Sequence, residues 1–397
     1  MTGFFNTSLS QQQFLQEYWQ KKPLLIRQAF PGFQSPISPE ELAGLACEPE
    51  IESRLIEQYG ENDSAWQVTA GPLSESDFDR LPETHWTMLV QDVDKHLPEL
   101  QTLLDPLRFI PDWRRDDLMI SYATESGSVG PHTDAYDVFL LQAMGTRRWQ
   151  LGDQPIHEAK LIDGLELQIL AEFTPDQSWD LEPGDMLYLP PHFAHHGVAL
   201  DECMTFSFGF RAPASVDMLD AVVNTLLEQE LGKHRYQDLD LLLTPHGAEI
   251  DSLALARLKQ MLHQAIDEAE PVLATVLGKF VSETKPSLSA LAAEARAELP
   301  SIDELNAYFE RGQLLQRNLY CRFAWSANEM GGQLFMAGES YAVGMAGVGN
   351  LPLLTEQSTL TVIDWQGIVQ DETSANLLCQ LIAEGGWFWQ NDMDSTG

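Results

Sequence analysis

Cysteine is scarce in this chain: Cys47, Cys203, Cys321 and Cys379 stand far apart among 397 residues. No Cys-x-x-Cys pair occurs, which excludes a thiolate metal cluster and a disulfide framework and leaves buried or inert thiols. Long apolar runs are missing too. Nothing approaches the roughly eighteen residues of a membrane span, and the opening segment, with Glu17, Lys21, Lys22 and Arg27, has no apolar signal-peptide core. A cytoplasmic protein with no membrane partner is expected. Basic residues are the third shortage, 23 against 60 acidic ones, for a net charge of −37. A field of that sign repels nucleic acid and anionic membrane and speeds encounter with a basic partner, although acidity also serves solubility alone.

What remains is ordinary globular composition, 44% hydrophobic and 9% aromatic, and enough chain for two or three domains. One stretch organises it, Val129-Gly130-Pro131-His132-Thr133-Asp134. In extended chain, residues two apart point to the same side, so His132 and Asp134 offer an imidazole and a carboxylate to one cavity. His-x-Asp also arises by chance, and the downstream segment Glu182–His195 is what gives it weight. There Glu182-Pro183-Gly184-Asp185 makes a turn, Met186–Leu189 a strand, and Pro190-Pro191 ends that strand before a histidine-rich loop. A double-stranded β-helix of the cupin or jelly-roll kind closes a metal pocket in this way, with His195 completing the site. Two His and one carboxylate leave three coordination positions open, the arrangement of non-heme Fe(II) oxygenases.

Along the chain, Gln11–Arg27 has an amphipathic helical pattern stopped by Pro23, and Ser38-Pro39-Glu40-Glu41 carries the marks of a capped helix start. Strands are expected at Ser53–Gln58 and Trp86–Val93, with turn-rich sequence between. Leu118–Ala123 is a pocket strand with Met119, Ser121 and Ala123 on one face, and Ser126–Gly130 a flexible loop delivering His132. Val138–Gln142 and Arg147–Leu151, joined at Met144-Gly145-Thr146, have the length and composition of a hairpin. Arg147 shares a face with Trp149 and Leu151 and so points inward, while Arg148 points out. A buried guanidinium needs an anion, either a dicarboxylate co-substrate or an internal Asp or Glu. Met204–Phe210 alternates Thr205, Ser207 and Gly209, suited to a pocket wall, with Phe206, Phe208 and Phe210, suited to packing under helices that follow residue 213. From 214 to 300 the chain turns helical, at Met218–Leu231, Ile250–Ile266 and Val272–Val281, with apolar faces too wide for three helices to cover. A homodimer contact is expected there. From 301 to 397 a helix at Ile302–Gln313, strand-like pieces Leu319–Trp325 and Gly332–Tyr341, and a helix near Ser374–Gly385 fit a winged helix. Its few basic residues argue against direct nucleic-acid binding.

The residues resemble a known family, the Jumonji-C type ribosomal oxygenases. The matching stretches are Tyr18–Pro23, Ile37–Ala46, Asp116–Ser121, Val129–Phe139, Arg147-Arg148-Trp149, Glu182–Asp185 and Gly209–Pro213, all within the first 213 residues. The resemblance implies an α+β chain with a double-stranded β-helix catalytic domain over 1–213, a helical dimerisation domain over 214–300 and a winged-helix-like domain over 301–397. It places the iron ligands on His132, Asp134 and His195, although His192 and His196 stand in the same loop. It places the residue that holds the far carboxylate of 2-oxoglutarate on Arg147; Ser121, Thr205 and Ser207, which strand parity puts on the pocket faces, are the expected co-substrate neighbours. Thr133 and His196 depart from the family pattern. The implied activity uses Fe(II), 2-oxoglutarate and O2 to hydroxylate an arginine of a basic ribosomal protein, releasing succinate and CO2, and Tyr136 and Asp137 are expected to meet that side chain. Two rivals remain at this stage. A Jumonji-C lysine demethylase would release formaldehyde, and a non-catalytic cupin that docks basic proteins would have no use for an inward Arg147.

Overall fold

β-branched and aromatic residues at period two dominate the first half of the chain, and they build two facing sheets. In the computed structural model, which describes residues 4–59, 66–243 and 245–390, the first unit comprises Met1–Ala212 with Pro286–Leu291. Its strands are β1 (Leu24–Ile26), β2 (Ser53–Gln58), β3 (Trp66–Ala70), β4 (Trp86–Val90), β5 (Arg115–Ala123), β6 (Val138–Met144), β7 (Arg147–Pro155), β8 (Gln177–Leu181), β9 (Met186–Leu189), β10 (Phe193–Ala199) and β11 (Cys203–Phe210). They form an eight-stranded sheet in the order β1-β9-β6-β11-β5-β4-β2-β3 and a three-stranded sheet in the order β10-β7-β8. β3 lies in a stretch whose turn residues masked its period in the sequence.

The hairpin expected at Val138–Leu151 is not formed. β6 pairs with β9 and β11, whereas β7 pairs with β8 and β10, so the chain crosses from one sheet to the other at Gly145. That corner has φ +58, and a Cβ would lie 2.0 Å from the Glu202 carbonyl oxygen, which only glycine permits. The crossing is what gives the sandwich its interior. Val138, Leu140, Leu187 and Leu189 of the large sheet pack there on Trp149, Leu151 and Leu181 of the small one.

The outer face of the large sheet carries Phe139, Tyr188, Phe206, Phe208 and Phe210, and what covers it differs from expectation. The N-terminal segment supplies cover within the same unit: Trp19 meets Phe210 edge-on at 5.3 Å and Phe33 meets Phe206 at 6.0 Å. The first helix, Gln11–Glu17, buries Phe14 and ends well before Pro23. Tertiary bonds capture the chain at Gln20, φ +57, whose backbone N–H donates to the Tyr188 hydroxyl at 2.8 Å and whose amide donates to Asp137 at 3.0 Å. The helix Pro39–Ala46 starts as its sequence dictates, with Ser38 and Glu41 closing a reciprocal capping box.

The second unit comprises Pro213–Lys285 with Ala292–Gly397. It contains the helices Ser215–Glu228, Ser252–Glu268, Leu273–Ser282, Ile302–Glu310, Val362–Ile368 and Glu372–Ala383. Its strands are β12 (Leu315–Arg317), β13 (Phe323–Asn328), β14 (Gly331–Met336), β15 (Glu339–Val343), β16 (Thr359–Leu360) and β17 (Trp387–Trp389). The piece Gly332–Tyr341 is two strands, because Ala337 and Gly338, with φ +51 and +82, make a two-residue turn of the type that favours hairpins. The helix Leu273–Ser282 packs on this meander. Thr275 donates to Gln333 at 2.9 Å, and a Cβ at Gly278 would come within 2.3 Å of the Phe335 ring.

Candidate functional site

β5 ends at Ala123, and the chain from Thr124 to Asp137 runs as a loop beside β10 before entering β6. The extended strand suggested by the His132 and Asp134 spacing is a single bridge residue. His132 pairs with His195, each backbone N–H donating to the other's carbonyl at 3.0 and 2.9 Å. The Pro131 carbonyl accepts from Leu170 at 2.8 Å and the Asp134 carbonyl from His192 at 2.7 Å, so the loop is held on both sides. Held this way, it keeps Asp134 on the same side as His132, and the donor atoms of His132, Asp134 and His195 lie within 4.8 Å of one another.

The chemistry of this donor set fits a metal cation. His132 Nδ1 lies 3.0 Å from the Gly130 carbonyl and His195 Nδ1 lies 2.9 Å from that of Phe193. A carbonyl only accepts, so both Nδ1 atoms carry the proton, and in the neutral ring Nε2 is the lone-pair atom. The Nε2 atoms face Asp134 at 3.9 Å from His132 and 3.5 Å from His195. These distances would suit ion pairs if the rings were charged, but burial, with the His132 ring beside it, pushes the His195 imidazole down to about 4. A buried neutral ring aimed at a carboxylate is a conflict of acceptors that a cation resolves. His192 and His196 lie outside the cluster. His192 has φ +68 and its ring lies tilted against that of His157, centroids 4.8 Å apart, while His196 bonds Ser128 at 3.0 Å.

Arg147 opens β7, the fourth element counted from β5 through the His132 segment and β6. It is 6% exposed, and Arg148 beside it points outward into a two-bond pair with Asp180 at 2.7 and 2.8 Å. Arg147 Nη1 reaches Ser121 Oγ at 3.4 Å, and its Nε and Nη2 have no hydrogen-bond partner among the described residues. No carboxylate pairs with it among those residues, so the internal salt bridge left open by the sequence is not made. A desolvated guanidinium with two idle donor groups is a site for an anion. The indole of Trp149 lies 5.9 Å from both the Arg147 guanidinium and the His195 ring. It fits because its strand partner is Gly197, where a Cβ would sit 2.7 Å from the ring.

The remaining expected residues divide. Ser121 pairs in register with Thr205; the Thr205 hydroxyl donates to Gln142 at 3.1 Å, and Ser207 is buried further along the same face. Tyr136 is 42% exposed, and the charge of Asp134, with burial, pushes its phenol well above its usual range. Asp137 is not at the pocket mouth. It is 0% exposed, its oxygens accept from Tyr188 at 2.6 Å, Gln20 at 3.0 Å and Arg114 at 3.3 Å, and burial raises its carboxyl despite those bonds. It anchors the loop instead. Asp117, which accepts from the Asp92 N–H at 3.4 Å, lies over Gly209, 3.1 Å from where a Cβ would be. Parity could have found it, since Asp117 is two residues before Met119 on the pocket face.

Comparison with known proteins agrees with this geometry. Residues 102–218 match a JmjC domain and residues 260–388 a ROXA-like winged helix. The chain is 33% identical to the ribosomal protein uL16 3-hydroxylase of Escherichia coli, over 97% of this chain and 99% of that protein. It is 34% identical to a probable ribosomal oxygenase of Haemophilus influenzae, over 80% of this chain and 79% of that protein. Among solved structures, E. coli YcfD superposes with a TM-score of 0.81 at 33% identity, covering 96% of this chain and 99% of that one. The same ribosomal oxygenase in complex with cobalt and 2-oxoglutarate superposes with a TM-score of 0.79 at 32% identity, over 96% and 99%.

Proposed function

The chain belongs to the JmjC-domain ribosomal oxygenases, and on that premise we propose that it hydroxylates an arginine side chain of a ribosomal protein, with His132, Asp134 and His195 as iron ligands. It is a 2-oxoglutarate-dependent dioxygenase that uses Fe(II) and O2. The observation that carries the residue assignment is a cluster of three converging acceptors and an anion-seeking guanidinium inside one sandwich. When bound, the iron couples O2 and the oxidation of 2-oxoglutarate to succinate and CO2 with insertion of one oxygen into a substrate C–H bond.

The chain's own residues position the reactants. The carbonyls of Gly130 and Phe193 hold the two imidazoles with their Nε2 atoms presented. Arg147, supported by Ser121, takes the distal carboxylate of 2-oxoglutarate, with Thr205 and Ser207 on the wall beside it, and burial in the sandwich excludes water from the pair. At the rim, the Tyr136 ring offers a face to a planar guanidinium and Asp117 a charge, while Asp137 keeps that segment in place. The net charge of −37 draws a basic ribosomal segment toward the rim, and added salt weakens that attraction.

The test offers an arginine-containing ribosomal peptide, its lysine-substituted twin and a methyl-lysine histone tail. Gain of one oxygen on the arginine peptide alone is expected, with turnover at low substrate falling as salt rises. Formaldehyde from the histone tail, or modification of neither ribosomal peptide, would overturn the reading in favour of a demethylase or a docking protein.

The protein acts as a cytoplasmic homodimer through residues 214–300. Val216, Leu219, Val223 and Leu227 of the helix Ser215–Glu228 are exposed, as are Leu255, Leu258, Leu262 and Ile266 of the helix Ser252–Glu268, which buries none of its residues. Exposed apolar stripes of that length belong in an interface. No helix among the described residues is long and apolar enough to cross a membrane, and the winged-helix-like part, acidic like the rest, is not a nucleic-acid reader. Leu255→Glu with Leu262→Glu is expected to give a monomer in sedimentation velocity; an unchanged dimer would place the interface elsewhere.

A further inference from the structure

We propose that Ser128 and His196 form a strut that positions the ligand His132; the inference rests on the metal assignment above. The segment after β5 is stitched to β10 at two places. Ser126 N–H donates to the Ala199 carbonyl at 2.9 Å and Ala199 N–H to that of Gly127 at 3.1 Å; further along, His132 and His195 exchange backbone bonds. Between these points no backbone hydrogen bond ties Ser128, Val129 or Gly130 to β10 among the described residues. The chain bulges there, with Gly130 at φ +80 and its α-carbon so close to Ile169 that a Cβ would lie 2.9 Å from that side chain.

The gap is spanned by side chains. His196 Nε2 lies 3.0 Å from Ser128 Oγ, the same Oγ accepts from Gly130 N–H at 3.0 Å, and the Gly130 carbonyl receives His132 Nδ1 at 3.0 Å. A serine hydroxyl has lone pairs enough to accept from Gly130 and still bond the imidazole with either tautomer of His196. The Gly130 carbonyl is the acceptor that sets which nitrogen of His132 is free for metal, so a bulge able to swing would present that ligand loosely. With the strut in place, His196 of β10 and the ligand His132 hold opposite ends of one short network. His196 and Ser128 are positioning residues and touch neither metal nor substrate.

The experiment titrates Co(II) into metal-free full-length protein and reads the dissociation constant and the visible ligand-field spectrum. Ser128→Ala and His196→Phe are each expected to weaken Co(II) roughly 10- to 100-fold and to alter the spectrum, as loss of a ligand's outer partner does, with the metal-free thermal midpoint unchanged. Because the two residues act through one bond, the double variant should bind no more weakly than the weaker single variant. Unaltered affinity in either single variant, or losses that multiply in the double, would overturn the strut. Should either variant unfold, Ser128→Thr, which keeps the hydroxyl, and His196→Gln, whose amide can bond it in place of the imidazole, carry the test: near wild-type affinity supports the strut and its loss overturns it. Wild-type protein that binds no Co(II), or His195→Ala that binds it as well as wild type, would overturn the metal assignment itself.

Discussion

Asp134→Ala, His132→Ala and His195→Ala are each expected to abolish succinate formation, with Co(II) affinity falling by more than the roughly 100-fold that marks loss of an outer-shell partner. Asp134 should be the most damaging. It supplies the negative charge that makes a cation favourable beside the two imidazoles, and both Nε2 atoms point at it. The control is His192→Asn, which keeps a residue tolerant of the left-handed conformation found there while removing the imidazole. Isothermal titration with Co(II), beside succinate assays at saturating Fe(II), separates lost metal from lost chemistry. Full Co(II) affinity in Asp134→Ala, or loss of metal in His192→Asn equal to that in His195→Ala, would show that the cluster is not the site.

Arg147→Ala is expected to raise the 2-oxoglutarate requirement by roughly 100-fold, the equivalent of two charge-assisted hydrogen bonds at about 1.5 kcal/mol each. The Fe(II) requirement should change little, since Arg147 bonds Ser121 and none of the metal-facing groups. Arg148→Ala is the control, because that side chain is exposed and paired with Asp180. Thermal shift gives an independent readout in Co(II)-loaded, non-turning-over protein. At a co-substrate concentration 100 times the wild-type dissociation constant, linkage gives about 2.7 kcal/mol of stabilisation, whereas a variant binding 100-fold more weakly gains about 0.4. Arg147→Lys should fall between, since an ammonium keeps the charge without the planar pair of donors. Equal shifts in the alanine variants of Arg147 and Arg148 would mean the wrong arginine carries the anion.

Local periodicity carried most of the site. The His132 and Asp134 spacing, the Pro190-Pro191 strand end and the alternation that turns Arg147 in and Arg148 out are consequences of where a side chain points relative to its near neighbours. Those constraints operate within a few residues and are readable without a fold. The capping box at Ser38 and the pocket face of Ser121 and Ser207 were legible for the same reason. Asp137 misled because adjacency to Tyr136 says nothing about burial, and Tyr188, Gln20 and Arg114 reach it from distant parts of the chain.

Partner choice was decided elsewhere. A strand ending in Gly145 can fold back on its neighbour or cross to a second sheet, and the local sequence suits both. β6 crosses because β9 and β11 supply its hydrogen-bonding edges while β8 and β10 supply those of β7. The sequence points to the helices after residue 213 as the cover over this phenylalanine face, whereas Trp19 and Phe33 from the N-terminal segment meet Phe210 and Phe206. By itself the sequence determined which side chains would face an interior and what chemistry they could offer there. Tertiary structure alone decided which strands enclose that interior and which polar groups are left inside it without a partner, because hydrogen-bonding edges and apolar faces are satisfied by whatever surface comes to meet them, however far along the chain it lies.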